Sequence, residues 1–118
     1  MGKVSTHVLD TTIGKPASNV EIKVYKKIDG KFELIKTTKT NSDGRCDEPL
    51  LQNDEIEECS YELEFEVFDY FKSKDIKSNF LKDVVIRFHI FDKNENYHVP
   101  LLITPYSYST YRGSWLWS

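Results

Sequence analysis

The chain holds only two cysteines, Cys46 and Cys59, and they lack the suitably spaced histidines a zinc site would need. The two could pair with each other, but we read them as reduced thiols. No apolar run approaches the roughly 18 residues of a membrane span. The opening Met1-Gly-Lys-Val-Ser-Thr-His7 lacks the apolar stretch of a secretory signal. Met1-Gly2 followed by Thr6 is a partial acylation motif, and strand pairing expected from about Lys3 argues against a free N-terminal arm. A cytoplasmic location is therefore expected. The 16 basic and 19 acidic residues are spread along the chain, for a net charge of −3. Without a basic cluster to track phosphates, nucleic acid is not the expected partner. No repeat or linker interrupts the 118 residues, which suit one domain.

What is present is core material. With 39% hydrophobic and 14% aromatic residues, a folded domain can bury very roughly two-thirds of its unfolded surface without a metal or disulfide staple. The dominant period is two. Tyr61, Leu63, Phe65 and Val67 alternate with Glu62, Glu64 and Glu66, and Val20, Ile22 and Val24 with Glu21 and Lys23, as half-buried strands require. Val84, Ile86, Phe88 and Ile90 form another inward set. Val85 and Phe91 on the opposite face suggest cover by another subunit.

Turn chemistry divides these runs: Ile13-Gly-Lys-Pro16, the Asp-Gly hairpin signal in Ile28-Asp-Gly-Lys31, Asn41-Ser-Asp-Gly44 and Asp92-Lys-Asn-Glu-Asn96. Strands are expected near 3–10, 19–27, 32–38, 45–47, 60–68, 83–92, 97–104 and 107–112. One short helix is expected over 69–76, with Tyr70 and Phe71 supplying its apolar contacts. Many short strands at hairpin spacing point to an all-β sandwich.

Three side chains could carry chemistry. His7 lies inside the first strand, His98 opens the seventh, and Arg45 follows a tight turn that lets a long cation project from a rigid place. A neutral imidazole, with an ordinary pKa of about 6.5, can take a proton from water near neutrality. A guanidinium can hold substrate carbonyls and the oxyanion formed as water adds. Spacing alone does not bring the three together, and a lone strand histidine is more often a structural hydrogen-bonding group.

The segments Ser5-Thr-His-Val-Leu-Asp-Thr-Thr-Ile-Gly-Lys-Pro-Ala17, His98-Val-Pro-Leu-Leu-Ile-Thr-Pro105 and Ser109-Thr-Tyr-Arg-Gly-Ser114 closely resemble the transthyretin-like 5-hydroxyisourate hydrolases. The resemblance covers residues 5–114, specific in its end motifs and a matter of pattern between them. It implies a transthyretin-like sandwich of two four-stranded sheets with one short helix. It also implies hydrolysis of 5-hydroxyisourate to 2-oxo-4-hydroxy-4-carboxy-5-ureidoimidazoline in urate degradation, with no metal or cofactor. His7, Arg45 and His98 would then share one catalytic pocket, lined for substrate binding by Tyr111, Arg112, Gly113 and Ser114. That pocket would lie between subunits of a homotetramer. Either histidine could be the base. The alternative function is a non-catalytic carrier of a small aromatic ligand, which would not need His7, Arg45 and His98 together; a sandwich used for adhesion or assembly is a third.

Other residues read more plainly. Arg112 either anchors its segment by a salt bridge or touches substrate, and anchoring is preferred because Arg45 already supplies a cation. His89 is expected on a surface or interface, Tyr106 and Tyr108 in packing at a subunit contact, and Glu62, Glu64 and Glu66 on a solvated sheet face. Thr11, Thr12 and Gly14 are expected to form a turn. The domain is expected to end at Ser114, with Trp115-Leu-Trp-Ser118 as an extension beyond the pattern. Two tryptophans there call for apolar contact: across a subunit interface, in the channel that the resemblance implies between subunits, or on a neighbour. The plain alternative is a frayed end.

Overall fold

The computed structural model describes residues 2–113. Strand β1 (Lys3–Asp10) is followed by the two-residue β2 (Lys15–Pro16), then by β3 (Glu21–Ile28) and β4 (Lys31–Lys39). After a long loop come β5 (Leu51–Gln52), β6 (Ser60–Phe65), helix α1 (Val67–Ser73), β7 (Val84–His89), β8 (Tyr97–Ile103) and β9 (Tyr108–Thr110). One sheet is ordered β4-β3-β6-β7. In the other, β9-β8-β1 is completed by β2 and β5, which share the outer edge of β1. This is the expected pair of four-stranded sheets, with β2 added. No helix among the described residues is long and apolar enough to cross a membrane.

Period-two patterning decides what lies between the sheets. Val4 and Val8 of β1 meet Ile22, Val24, Leu63, Phe65 and Leu101, all fully buried or within 1% of it. Truncating one such leucine to alanine costs about 2–5 kcal/mol. The β3–β4 hairpin turns on Asp29 and Gly30, both at positive φ (51° and 82°), with Ile28 opposite Lys31, as a two-residue turn demands. Residues 11–14 form the expected turn, in which the Thr12 amide donates to Asp10 Oδ1 at 3.0 Å.

Several boundaries differ from expectation. The helix begins two residues earlier than predicted, because Val67 joins Tyr70 and Phe71 on one buried face, the i, i+3, i+4 spacing of a helix. It stops short of Ile76 because Asp75 turns to φ 58°. The Asp75 and Ile76 amides then close back onto the Lys72 and Phe71 carbonyls at 3.0 and 2.9 Å, a Schellman-type end. Residues 45–47, expected as a strand, are irregular, and the short strand here is β5 instead. The local Asn41–Arg45 turn takes up the hydrogen bonds a strand would have offered its neighbour: the Asn41 amide donates to the Arg45 carbonyl at 2.6 Å, and the Gly44 amide to the Asn41 carbonyl at 3.0 Å.

The β1–β8 pair fixes the rest. It is parallel, with Ser5 opposite His98 and His7 opposite Pro100. Paired residues in adjacent strands point to the same face, so Ser5, His7 and His98 share the outer face of this sheet.

Candidate active site

Along β1 the half-buried residues are Lys3, Ser5, His7 and Leu9, and the buried ones Val4, Thr6, Val8 and Asp10. The first set faces away from the core. His98 is reached from β8 on that same face and is only 2% exposed. Its Nδ1 and the Ser5 hydroxyl are joined by a hydrogen bond of 2.9 Å.

The middle of the outer edge of β1 is covered by the 41–50 loop. The Val8 amide donates to the Gly44 carbonyl at 2.8 Å, and the Leu50 amide to the Val4 carbonyl at 2.8 Å. Asn41 shapes the turn: its Oδ1 accepts from the amides of Asp43 (2.9 Å) and Arg45 (3.3 Å), while its Nδ2 donates to Asp47 at 3.0 Å. The Asp43 carbonyl is thereby brought to His7, whose Nε2 lies 2.9 Å away. A carbonyl oxygen only accepts, so that nitrogen carries the proton and the neutral ring keeps its lone pair on Nδ1.

Arg45 leaves this turn close enough to influence both rings. The His98 pKa lies below its ordinary value, through burial first, then the Arg45 charge and the neighbouring His7. The His7 pKa is also lowered, by burial and by Arg45, against the opposing pull of the Asp43 carbonyl and carboxylate. Both shifts favour the neutral imidazole near neutral pH. Beside Arg45 a cleft of about 250 Å³ is lined by Lys3, Ser5, Thr6, Cys46 and Pro49 among others. Burial raises the Cys46 thiol, so it is not a thiolate at neutral pH; both cysteines are free.

The Tyr111–Gly113 segment closes the opposite side. The Gly113 amide donates to the His98 carbonyl at 2.7 Å, and a Cβ on Gly113 would stand 2.6 Å from His98 Cδ2. Glycine is required there by close approach to the ring. Arg112 turns elsewhere: its guanidinium lies 4.3 Å over the Tyr97 ring and pairs with Glu95 at 2.8 Å. Tyr111 is exposed. Ser114 and the Trp115–Ser118 stretch lie outside the described residues.

The structure thus gathers His7, Arg45, His98 and Gly113. Sequence reasoning read Asn41-Ser-Asp-Gly44 as the turn before Arg45 but gave Asn41, Asp43, Gly44 and Ser5 no part in positioning the histidines. The i, i+2 spacing of Ser5 and His7 put those two on one face, but the register that sets Ser5 against His98 has no sequence signal. His89 lies on the other sheet, bonded to Ser60 at 2.9 Å and packed on Phe91. The glutamate face is paired: Glu62 with Arg87 at 2.8 Å and Glu66 with Lys23 at 3.3 Å. Glu64, Glu66 and Asp83 have carboxylate oxygens within 4.8 Å of one another, on the other sheet from His7 and His98 and already neighboured by Lys23.

Comparison with known proteins identifies the family and the fold. Residues 4–113 match the HIUase/Transthyretin family. A 5-hydroxyisourate hydrolase of Pseudomonas aeruginosa is 47% identical over 117 residues, covering 97% of this chain and 93% of that protein. Among solved structures, Klebsiella pneumoniae 5-hydroxyisourate hydrolase superposes with a TM-score of 0.81 at 31% identity, over 97% of this chain and all of that one (100%). Sea bream transthyretin in complex with thyroxine gives a TM-score of 0.88 at 26% identity, over 94% of each chain.

Proposed function

We propose, for a chain that belongs to the HIUase/transthyretin family, that it hydrolyses 5-hydroxyisourate in urate degradation. The observation that carries the catalytic assignment is the grouping of His7 and His98 on one sheet face, with Arg45 on the loop beside them near enough to lower the pKa of both. A carrier of a flat ligand has no need of that grouping, although the fold would serve it equally well.

In the proposed reaction His98 Nε2 takes a proton from water while the water oxygen bonds to the ring amide carbonyl carbon of the substrate. The carbonyl π electrons move to oxygen, and Arg45 neutralises that oxyanion. When the intermediate collapses, the carbonyl re-forms and the C–N bond breaks. The imidazolium returns its proton to the departing nitrogen, giving 2-oxo-4-hydroxy-4-carboxy-5-ureidoimidazoline. His7, with its lone pair on Nδ1, orients substrate or water beside it. Gly113 and Ser114 offer hydrogen bonds to the polar heterocycle, and Tyr111 borders it. Arg112, paired with Glu95 and stacked on Tyr97, holds that segment in place.

The site lies on the outer face of the sheet, so a second subunit laid over that face would seal it from water. We extend the proposal to a homotetramer with sites between subunits, in the cytoplasm. Sedimentation equilibrium tests the assembly: a monomer at micromolar concentration would overturn it.

The deciding experiment follows the absorbance of freshly generated 5-hydroxyisourate with wild-type protein, without protein and with His98→Ala. Acceleration by the wild type, lost in the variant, supports the reading. No acceleration by folded wild-type protein overturns it.

A further inference from the structure

We infer that Ser5 is a positioning residue for His98, its hydroxyl oxygen accepting the Nδ1 proton so that Nε2 carries the lone pair. The inference rests on the hydrolase reading, which needs a base with one free ring nitrogen. The contact comes from tertiary register: Ser5 and His98 are direct partners in the parallel β1–β8 pair, and their side-chain atoms meet at 2.9 Å. His98 is otherwise enclosed, 2% exposed and pressed by Gly113. With Nδ1 covered by Ser5, water can reach only Nε2.

The neighbouring hydroxyl cannot take this part. Strand alternation turns Thr6 into the core, where its Oγ1 donates to the Val99 carbonyl at 2.7 Å. Two successive hydroxyls of β1 therefore do different work, one tying β1 to β8 and the other aiming a ring.

Ser5 also suits the chemistry by being neutral. A carboxylate partner would draw a second proton onto the ring and spoil it as a base near neutrality. A hydroxyl orients the ring without adding charge. When Nε2 takes the proton of water, the Nδ1–H bond to Ser5 survives, so the imidazolium keeps a partner throughout the step.

The test uses full-length protein with ¹⁵N-labelled histidine, read by two-bond proton–nitrogen correlation spectra above the imidazole pKa. The His98 signals are identified by their loss in His98→Gln. The expected result is a protonated Nδ1 and a bare Nε2 on His98 in wild type and in Ser5→Thr, with Ser5→Ala relaxing toward the Nε2–H form. In the hydrolase assay Ser5→Ala should lower kcat roughly 10-fold or more, with KM changed less than about twofold, and Ser5→Thr should recover most of it.

A wild-type His98 carrying its proton on Nε2 would overturn the inference, as would an unchanged kcat in Ser5→Ala. If Ser5→Ala does not fold, the wild-type and Ser5→Thr spectra decide. If the wild type proves inactive, the hydrolase reading fails while the tautomer spectrum still decides whether Ser5 aims the ring.

Discussion

Gly44 lies so close to the first strand that a Cβ on it would stand 2.4 Å from the Val8 carbonyl oxygen and 3.3 Å from His7 Cδ2. Its φ of 75° adds a second constraint, since a side chain in that conformation costs about 1–2 kcal/mol. The same turn sends Arg45 into the site and gives His7 its carbonyl partner.

Gly44→Ala should therefore cost more than the conformational term alone, about 2–4 kcal/mol. It should also lower hydrolysis by more than tenfold at temperatures where the protein remains folded. Urea denaturation and single-turnover assays check the two effects. A variant of wild-type stability and rate would contradict the tight packing of loop against strand.

Gly113→Ala tests the other wall. The added methyl would drive into the His98 ring at 2.6 Å from Cδ2, and the ring is the softer partner. We expect kcat to fall at least tenfold, with a stability loss of about 1–3 kcal/mol, typical of overpacking. Histidine chemical shifts should report the displaced ring directly.

Arg45 adds to burial in lowering the titration of both imidazoles. Because His7 and His98 titrate below their ordinary value, the acid limb of kcat/KM should fall below pH 6.5. Arg45→Gln removes a positive charge that opposes protonation, so both histidine pKa values should rise. Proton NMR titration of the rings measures this even where activity is small; no upward movement would refute the electrostatic link.

The same shifts act on stability. The unfolded chain takes protons on these histidines at higher pH than the folded chain does. The stabilisation is thus complete above about pH 6.5 and is lost as pH falls through that value toward the folded-state pKa values. Urea midpoints should drop between about pH 7.5 and about pH 5, and the drop should shrink in His7→Gln.

Away from the site, Tyr70 of α1 donates to the buried Asp10 carboxylate at 2.8 Å, and burial first, then that bond, raises the tyrosine pKa. Tyr70→Phe leaves that carboxylate one donor short, at a cost of about 1–3 kcal/mol. Hydrolysis should be nearly unchanged at temperatures below the transition. Parallel denaturation and rate measurements separate the two.

Residue alternation alone set which side chains face inward along β3, β6 and β7, because a strand puts alternate side chains on opposite faces whatever its partners. The Asp-Gly pair marked the turn at Asp29-Gly30, because few residues accept left-handed backbone. Motifs placed His7, Arg45 and His98 among the candidates. That β1 and β8 run parallel, in a register that sets Ser5 against His98, emerges from the assembled fold alone, for the two residues are 93 apart in the chain. Strand register depends on the packing of whole sheets, and nothing in either strand alone encodes the other's position. The stretch after Gly44 likewise read as a strand from its neighbours in sequence. It became a loop because Asn41 and Gly44 satisfied its backbone locally and against β1, and that local closure carries Arg45 to the two histidines.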